Sequence, residues 1–381
     1  MDPVRQIQDF NAGRDPERLL LKYRAMRASP FGFLRGSCHL FYARLPRGGV
    51  FKSAPLVWVA YFDVNDFDES ALAPASWDLV RFLTSLRVGA DSLSVSDAKA
   101  RALCQLFLDA YASALAQGKA YWVERDTAYG LVRELLDGLR DRQRVSFLDS
   151  RTTVKRGKRL LRTDGKKALP ATAPQRAAIT DFMQAFAKSQ PHPDFYAVLD
   201  VARRVAGTGS LGVDRFAILV QGKGSPDGNY VLDLKQALPS SLLPNLKVPQ
   251  PTWKTEAHRV VAVQRRMQAV PMAFLQPVFF NEGPYVLRAL QPTEDRVTLN
   301  GSRRTPGELE QVIATLGRLV AWAQLRSAGR DGSASADELV DFGRRKKWKG
   351  LLLGVSQDCA VQVAKDATAY NLAWDEGLFR A

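Results

Sequence analysis

The spacing of apolar residues changes character along the chain. Over residues 5–26, 77–88, 97–117 and 128–139 apolar positions recur three and four apart, as in Leu103, Leu106, Phe107, Ala110 and Ala114, which predicts helices. From residue 197 the period shortens. Runs rich in β-branched and aromatic residues at 197–205, 215–221 and 230–237 predict three strands, and residues 274–280 and 285–290 predict two more. A helical pattern within 251–268 separates the two groups, and a short helix over 175–188 precedes them. Helical spacing then returns at 307–326, through Leu309, Val312, Ile313, Leu316, Leu319, Val320 and Ala323, and at 336–347 and 355–368. The expected fold is therefore α+β, with a helical large lobe and a five-stranded small lobe carrying one helix. The expected divisions are 1–174, 175–296 and 297–381, with the first join at Pro170-Ala-Thr-Ala-Pro174.

Chemistry enters at the connection between the first two strands of the middle segment. Gly207, Gly209 and Gly212 stand in G-x-G-x-x-G spacing with Ser210 between them. Glycines let a chain turn tightly and bring backbone N–H groups close to a phosphate. In a dinucleotide fold such a loop would open a helix. Here residues 213–220 keep strand character, and the turn formers at 223–229 close a hairpin, so that reading fails. What remains is the strand–loop–strand–strand order of a protein-kinase-like small lobe. There the loop covers the phosphates of ATP and a lysine of the third strand contacts them. Lys235 is that lysine, and Glu256, at the start of the following helix, is its expected ion-pair partner. A plain turn and a solvated strand lysine are the bland readings of each feature alone; the order of all four favours the nucleotide site.

A second candidate lies earlier in the chain. Asp63, Asp66, Asp68 and Glu69 fall within seven residues, directly after the apolar run 56–62. Carboxylates bunched at a strand end offer hard oxygen ligands for Mg²⁺, with an acidic turn as the alternative. Asp66, with Asp63 or Asp68, is the expected metal ligand. Asp78, twelve residues beyond Asp66, stands where a helix begins. The Asp-Phe…Asp-Leu spacing resembles the metal-binding segment of aminoglycoside-phosphotransferase-like kinases, which implies a structural role for Asp78. Arg35, in the shaped turn Ser-Pro-Phe-Gly-Phe-Leu-Arg-Gly ending at Gly36, is a candidate phosphate clamp or a structural ion-pair partner.

Charge adds a competing possibility. Lys and Arg exceed Asp and Glu by 15, and a basic surface attracts polyanions. Two clusters carry much of the excess: Lys155, Arg156, Lys158, Arg159, Arg162, Lys166 and Lys167 within 151–167, and residues 344–349, where Trp348 could stack on a base. The alternative function is thus a basic scaffold or nucleic-acid-associated protein without catalysis, although no nucleic-acid-binding motif accompanies the charge. The apolar runs are too short to span a bilayer and residues 1–5 lack a signal-peptide core, so the expected location is cytoplasmic. Three scattered cysteines and three histidines suggest neither a disulfide framework nor a zinc site.

Taken together, SPFGFLRG, FDVNDFDE, APASWDLVR, GTGSLG with LDLKQA, and RVVAVQRRMQ resemble the bacterial family known as domain of unknown function 2252. The resemblance implies a protein-kinase and aminoglycoside-phosphotransferase-like fold in permuted order, with the metal-binding segment ahead of the glycine-rich lobe. It implies ATP and Mg²⁺ as ligands and an unidentified phosphate acceptor. Family members resemble one another in a G-D-x-H-x-x-N segment just upstream of the acidic run. Here Pro55-Leu-Val-Trp-Val-Ala60 runs straight into Tyr61-Phe-Asp63. The family's A-H-A-R is likewise Ala323-Gln-Leu-Arg326. That segment resembles a catalytic loop with base and second metal ligand, so its absence implies nucleotide binding with phosphotransfer impaired or lost.

Overall fold

The computed structural model describes residues 2–47, 49–51, 54–59, 67–292, 297, 299 and 305–379. The chain opens with α1 (Pro3–Asn11), α2 (Pro16–Arg27), α3 (Pro30–Gly36) and α4 (Cys38–Ala43). The first three begin on a proline behind Asp2, Asp15 or Ser29, whose side chains accept from first-turn N–H groups. A two-stranded antiparallel pair follows, β1 (Leu56–Val59) and β2 (Ala71–Pro74), with Leu56 opposite Pro74 and Val59 opposite Ala71. This pair brackets the acidic segment and feeds α5 (Ala75–Val88) and α6 (Asp97–Gln117).

Next come α7 (Gly130–Arg140), α8 (Arg144–Arg151), the hairpin of β3 (Thr152–Lys155) and β4 (Lys158–Leu161), then β5 (Ala168–Pro170) and α9 (Ala173–Ala187). The sheet strands β6 (Val198–Arg204), β7 (Arg215–Val220) and β8 (Tyr230–Gln236) lead to α10 (Glu256–Met267), β9 (Gln276–Phe280) and β10 (Gly283–Ala289). The chain then returns to helix in α11 (Pro306–Ser327), α12 (Ala336–Arg344) and α13 (Lys347–Asp375).

The α+β class is as expected. The helical body draws on both ends of the chain: Trp77, Phe82, Phe107 and Tyr111 share one apolar core with Ile313, Phe342, Trp348 and Tyr370. Burying each such ring stabilises the fold by about 1.5–3 kcal/mol. Helix α11 lies close along α6 because residue 317 is glycine; a Cβ there would stand 2.5 Å from the Phe107 carbonyl oxygen.

The large sheet has the order β5-β6-β7-β8-β10-β9, every neighbour antiparallel. It has six strands where five were expected, because Ala168–Pro170, in the stretch read as a join, pairs with the edge of β6. Strand alternation sorts the faces. Phe216, Ile218, Val220, Leu232, Leu234 and Leu287 pack with Ile179 and Met183 of α9. The opposite face carries Arg215, Ala217, Asp233, Lys235, Val286 and Arg288, and α10 covers part of it through Ala257, Val260 and Val263 against Val286.

Two further expectations are corrected. The two C-terminal helices read at 336–347 and 355–368 are α12 and one 29-residue helix, α13. Trp348 is buried, stacks on Phe342 at 4.6 Å and donates its indole N–H to the Phe342 carbonyl at 3.1 Å. It is a core residue, unable to stack on a base.

Candidate functional site

Lys235 sits near the end of β8, buried, on the face that α10 only partly covers. Its ammonium bonds Asp68, which lies in the turn between β1 and β2. The expected partner was Glu256, and the structure corrects this. Glu256 is the first residue of α10 and takes the Nε–H of Arg259 at 2.6 Å, its neighbour one turn along the same helix face. Arg259 is what reaches out of α10. Its Nη1 donates to the Ser70 carbonyl at 2.5 Å and Oγ at 2.9 Å, and its Nη2 to the carbonyls of Asp68 at 2.8 Å and Leu238 at 3.0 Å. The helix therefore grips the acidic segment, and the acidic segment grips the lysine.

Glu69 completes that segment. It accepts from the Ser241 N–H at 2.5 Å and the Ser240 hydroxyl at 3.3 Å. Burial pushes its carboxyl pKa up, the Ser241 bonds oppose this, and Asp68 alongside adds to the rise. Asp63 and Asp66 lie outside the described residues. Among the described residues no three His, Cys, Asp or Glu side chains gather as a metal would require.

The glycine-rich loop between β6 and β7 is docked on the N-terminal helices. Arg14 donates to the carbonyls of Gly209 at 3.0 Å and Leu211 at 3.2 Å, and Lys22 to Gly209 at 3.3 Å and the Asn11 amide oxygen at 2.7 Å. The Asp15 N–H bonds the Gly212 carbonyl at 3.0 Å, and Arg18 bonds that of Val213 at 2.9 Å. Two glycines are dictated by this docking. Gly212 has φ +90°, and a Cβ there would meet the Arg14 Cβ at 2.8 Å; a Cβ on Gly209 would come within 3.2 Å of the Arg35 carbonyl. Gly207 also lies at positive φ, and Ser210 donates its N–H to the Gly207 carbonyl at 3.2 Å.

The clamp is electrostatically unusual. Burial brings the Arg14 pKa down and the Lys22 pKa well down, the latter further depressed by Arg14. His39 of α4 stacks on Phe10 at 3.9 Å beside them, and burial, then Lys22 and Arg14, lower it to about 3. The guanidinium of Arg35 is exposed and lies 5.8 Å above the Phe31 ring. Asp78 is in the first turn of α5, where its charge adds to the burial that raises the phenol pKa values of Tyr42 and Tyr111.

One group escaped the sequence reading. Asp233, two residues before Lys235 on the same sheet face, is buried among three guanidinium groups. Arg215 binds it through two nitrogens at 2.8 and 2.7 Å, Arg204 at 2.8 Å and Arg288 at 3.2 Å. Burial alone would raise its carboxyl pKa; the arginines outweigh it and hold the group well below the ordinary carboxylate range. Burial and the neighbouring Arg215 bring Arg204 down to about 9. The available signal was an acid at an inward position of an otherwise apolar strand.

The site thus brings the third-strand lysine, the glycine-rich loop and part of the acidic segment to one region of a mixed α+β protein. Comparison with known proteins places the chain in a family. The family model described as "Uncharacterized protein conserved in bacteria (DUF2252)" matches residues 14–60 and 59–373, and the chain belongs to that family. No curated protein and no solved structure matches it.

Proposed function

We propose that this chain is a kinase-like nucleotide-binding protein whose phosphotransfer is impaired or lost. The observation that carries the reading is the Lys235–Asp68 contact, which joins the glycine-rich lobe to the acidic segment across 167 positions of sequence. Supporting it are strands β6, β7 and β8 with the loop between the first two, one helix after the third, and two more strands. This is the order of a kinase small lobe, here placed after the acidic segment in the chain. In this reading Gly207, Gly209, Ser210 and Gly212 cradle phosphates and Lys235 neutralises them. Asp68, with Asp66 and Asp63, supplies carboxylate for Mg²⁺, and Arg35 stands beside the loop as a phosphate clamp. Glu256 acts only indirectly, by orienting Arg259.

Impaired transfer follows from the missing G-D-x-H-x-x-N segment. The family match comes in two pieces that meet at residues 59–60, next to where that segment would stand. Without a base and a second metal ligand, positioning and charge stabilisation of the transferred group are weakened.

Calorimetric titration of ATP with and without Mg²⁺, on the natural protein and on Lys235→Ala, tests the reading. Loss of a contact between a charged donor and phosphate, worth about 1.5–3 kcal/mol, weakens binding roughly 10- to 100-fold. Equal affinity in the two proteins, or no ATP binding by the natural one, refutes it.

A further inference from the structure

We propose that the β3–β4 hairpin is a docking arm for duplex DNA, distinct from the nucleotide site. Its base is fixed. Arg159 is buried and bonds Asp149 at 2.6 Å, Asp227 at 2.9 Å and the Pro226 carbonyl at 2.7 Å. The Leu161 N–H bonds Asp200 of β6 at 2.8 Å, and Leu161 and Leu148 enter the core beneath the sheet. The ribbon is thereby held on the six-stranded sheet instead of trailing from it.

The opposite face of the ribbon, Thr153, Lys155, Lys158 and Leu160, is exposed along its whole length. At the tip Arg156 (φ 51°) and Gly157 (φ 75°) are both left-handed, as a two-residue I′ turn requires, so the basic tip is closely defined. Lys155, Arg156, Lys158, Arg162, Lys166 and Lys167 are all exposed, and among the described residues none forms an ion pair. Asp164, the exposed acid among them, is occupied by the backbone N–H groups of Lys166 and Lys167 at 2.9 and 3.1 Å. Elsewhere the protein does pair surface cations, as in Arg27–Asp375 at 2.5 Å and Lys349–Asp109 at 2.7 Å. Residues 140–167 hold 11 Lys and Arg against three Asp, a surplus of eight in 28 positions out of a whole-chain surplus of 15.

Geometry selects the partner. A two-stranded ribbon fits the B-form major groove, about 12 Å wide, where cations along its length reach both phosphate walls. The A-form groove of duplex RNA is too narrow to admit it. Insertion into a bilayer would call for apolar residues at the tip, which here is Lys-Arg-Gly-Lys.

The test is binding of a labelled 20-base-pair DNA duplex, followed by fluorescence anisotropy at several salt concentrations. Three proteins are compared: the full chain, K155S/R156N/K158S, and R345S/K346S/K347S, which loses the same charge from the other basic cluster, where all three side chains are exposed. The hairpin variant should lose most of its affinity, with the slope of log K against log salt falling by about 0.9 for each phosphate contact removed. The second variant should bind nearly as the natural chain does. Equal losses in both variants would reduce the effect to net charge and overturn the proposal. So would unchanged binding by the hairpin variant, or a preference for duplex RNA or for anionic phosphatidylglycerol vesicles. Because the substituted side chains are solvent-exposed, an unchanged circular dichroism melting curve verifies that the variants fold.

Discussion

Acidification from pH 7 to pH 5 should weaken this protein in part through His39, whose share can be isolated. Its ring is 8% exposed, stacked on Phe10, with Lys22 and Arg14 close by. Folding holds its pKa at about 3, against an ordinary value near 6.5. The sign follows from proton linkage. A folded-state pKa below the unfolded one contributes stability that is complete above about pH 6.5 and is lost as pH falls toward 3, because the unfolded chain binds the proton first. At about 1.36 kcal/mol per unit, moving from pH 7 to pH 5 removes about 2 kcal/mol. Urea unfolding at pH 7, 6 and 5, on the natural protein and on His39→Phe, isolates this contribution, since phenylalanine keeps a ring against Phe10 and carries no proton. The difference in unfolding free energy between the two proteins should change by about 2 kcal/mol over that range. If the two pH dependences run parallel, His39 is not buried neutral beside the loop clamp, and the description of that clamp fails.

Two substitutions probe the other unusual positions. Asp233→Asn removes the carboxylate from three buried guanidinium groups and should cost about 3–5 kcal/mol in urea unfolding; a loss below about 1 kcal/mol would show that the cluster relaxes freely. Gly212→Ala places a Cβ at φ +90° and 2.8 Å from that of Arg14, and should destabilise by about 1–3 kcal/mol, read as a lowered melting temperature. An unchanged melting temperature would mean that the loop is not docked on the N-terminal helices.

Where the sequence was legible, the local code and the packing agreed. The strands of the central segment read correctly because runs rich in β-branched and aromatic residues are separated by turn formers, and two of the loop glycines, Gly207 and Gly212, fell at positions whose φ only glycine readily adopts. The β3–β4 hairpin was missed because its lysines and arginine mask strand propensity, and the edge strand β5 because three residues ending in proline carry little strand signal, its pairing being decided by neighbours such as Arg203 opposite Leu169. Helix α13 read as a shorter segment because Gly350 and Gly354 break its pattern. A Cβ at either would meet nothing, and their cost of about 1 kcal/mol each is offset by packing of the helix on α5. Glu256 was misassigned because one-dimensional order cannot show that Arg259, on the same helix face, takes its carboxylate first.

The partner of Lys235 was the least legible feature, because it comes from a segment 167 positions away in sequence. Three contacts tie residues 68–70 to the six-stranded sheet and α10: Asp68 to Lys235, Glu69 to Ser240 and Ser241, and Arg259 to the backbone of Asp68 and Ser70. They come from β8, from α10 and from the connection between them, where Ser240 contributes its hydroxyl and Ser241 its backbone N–H. A further constraint comes from β1 pairing with β2, which holds the two ends of the acidic segment at one place whatever its length. Lys235 and Asp68 therefore meet within a wider set of contacts that fixes residues 68–70 against β8 and α10.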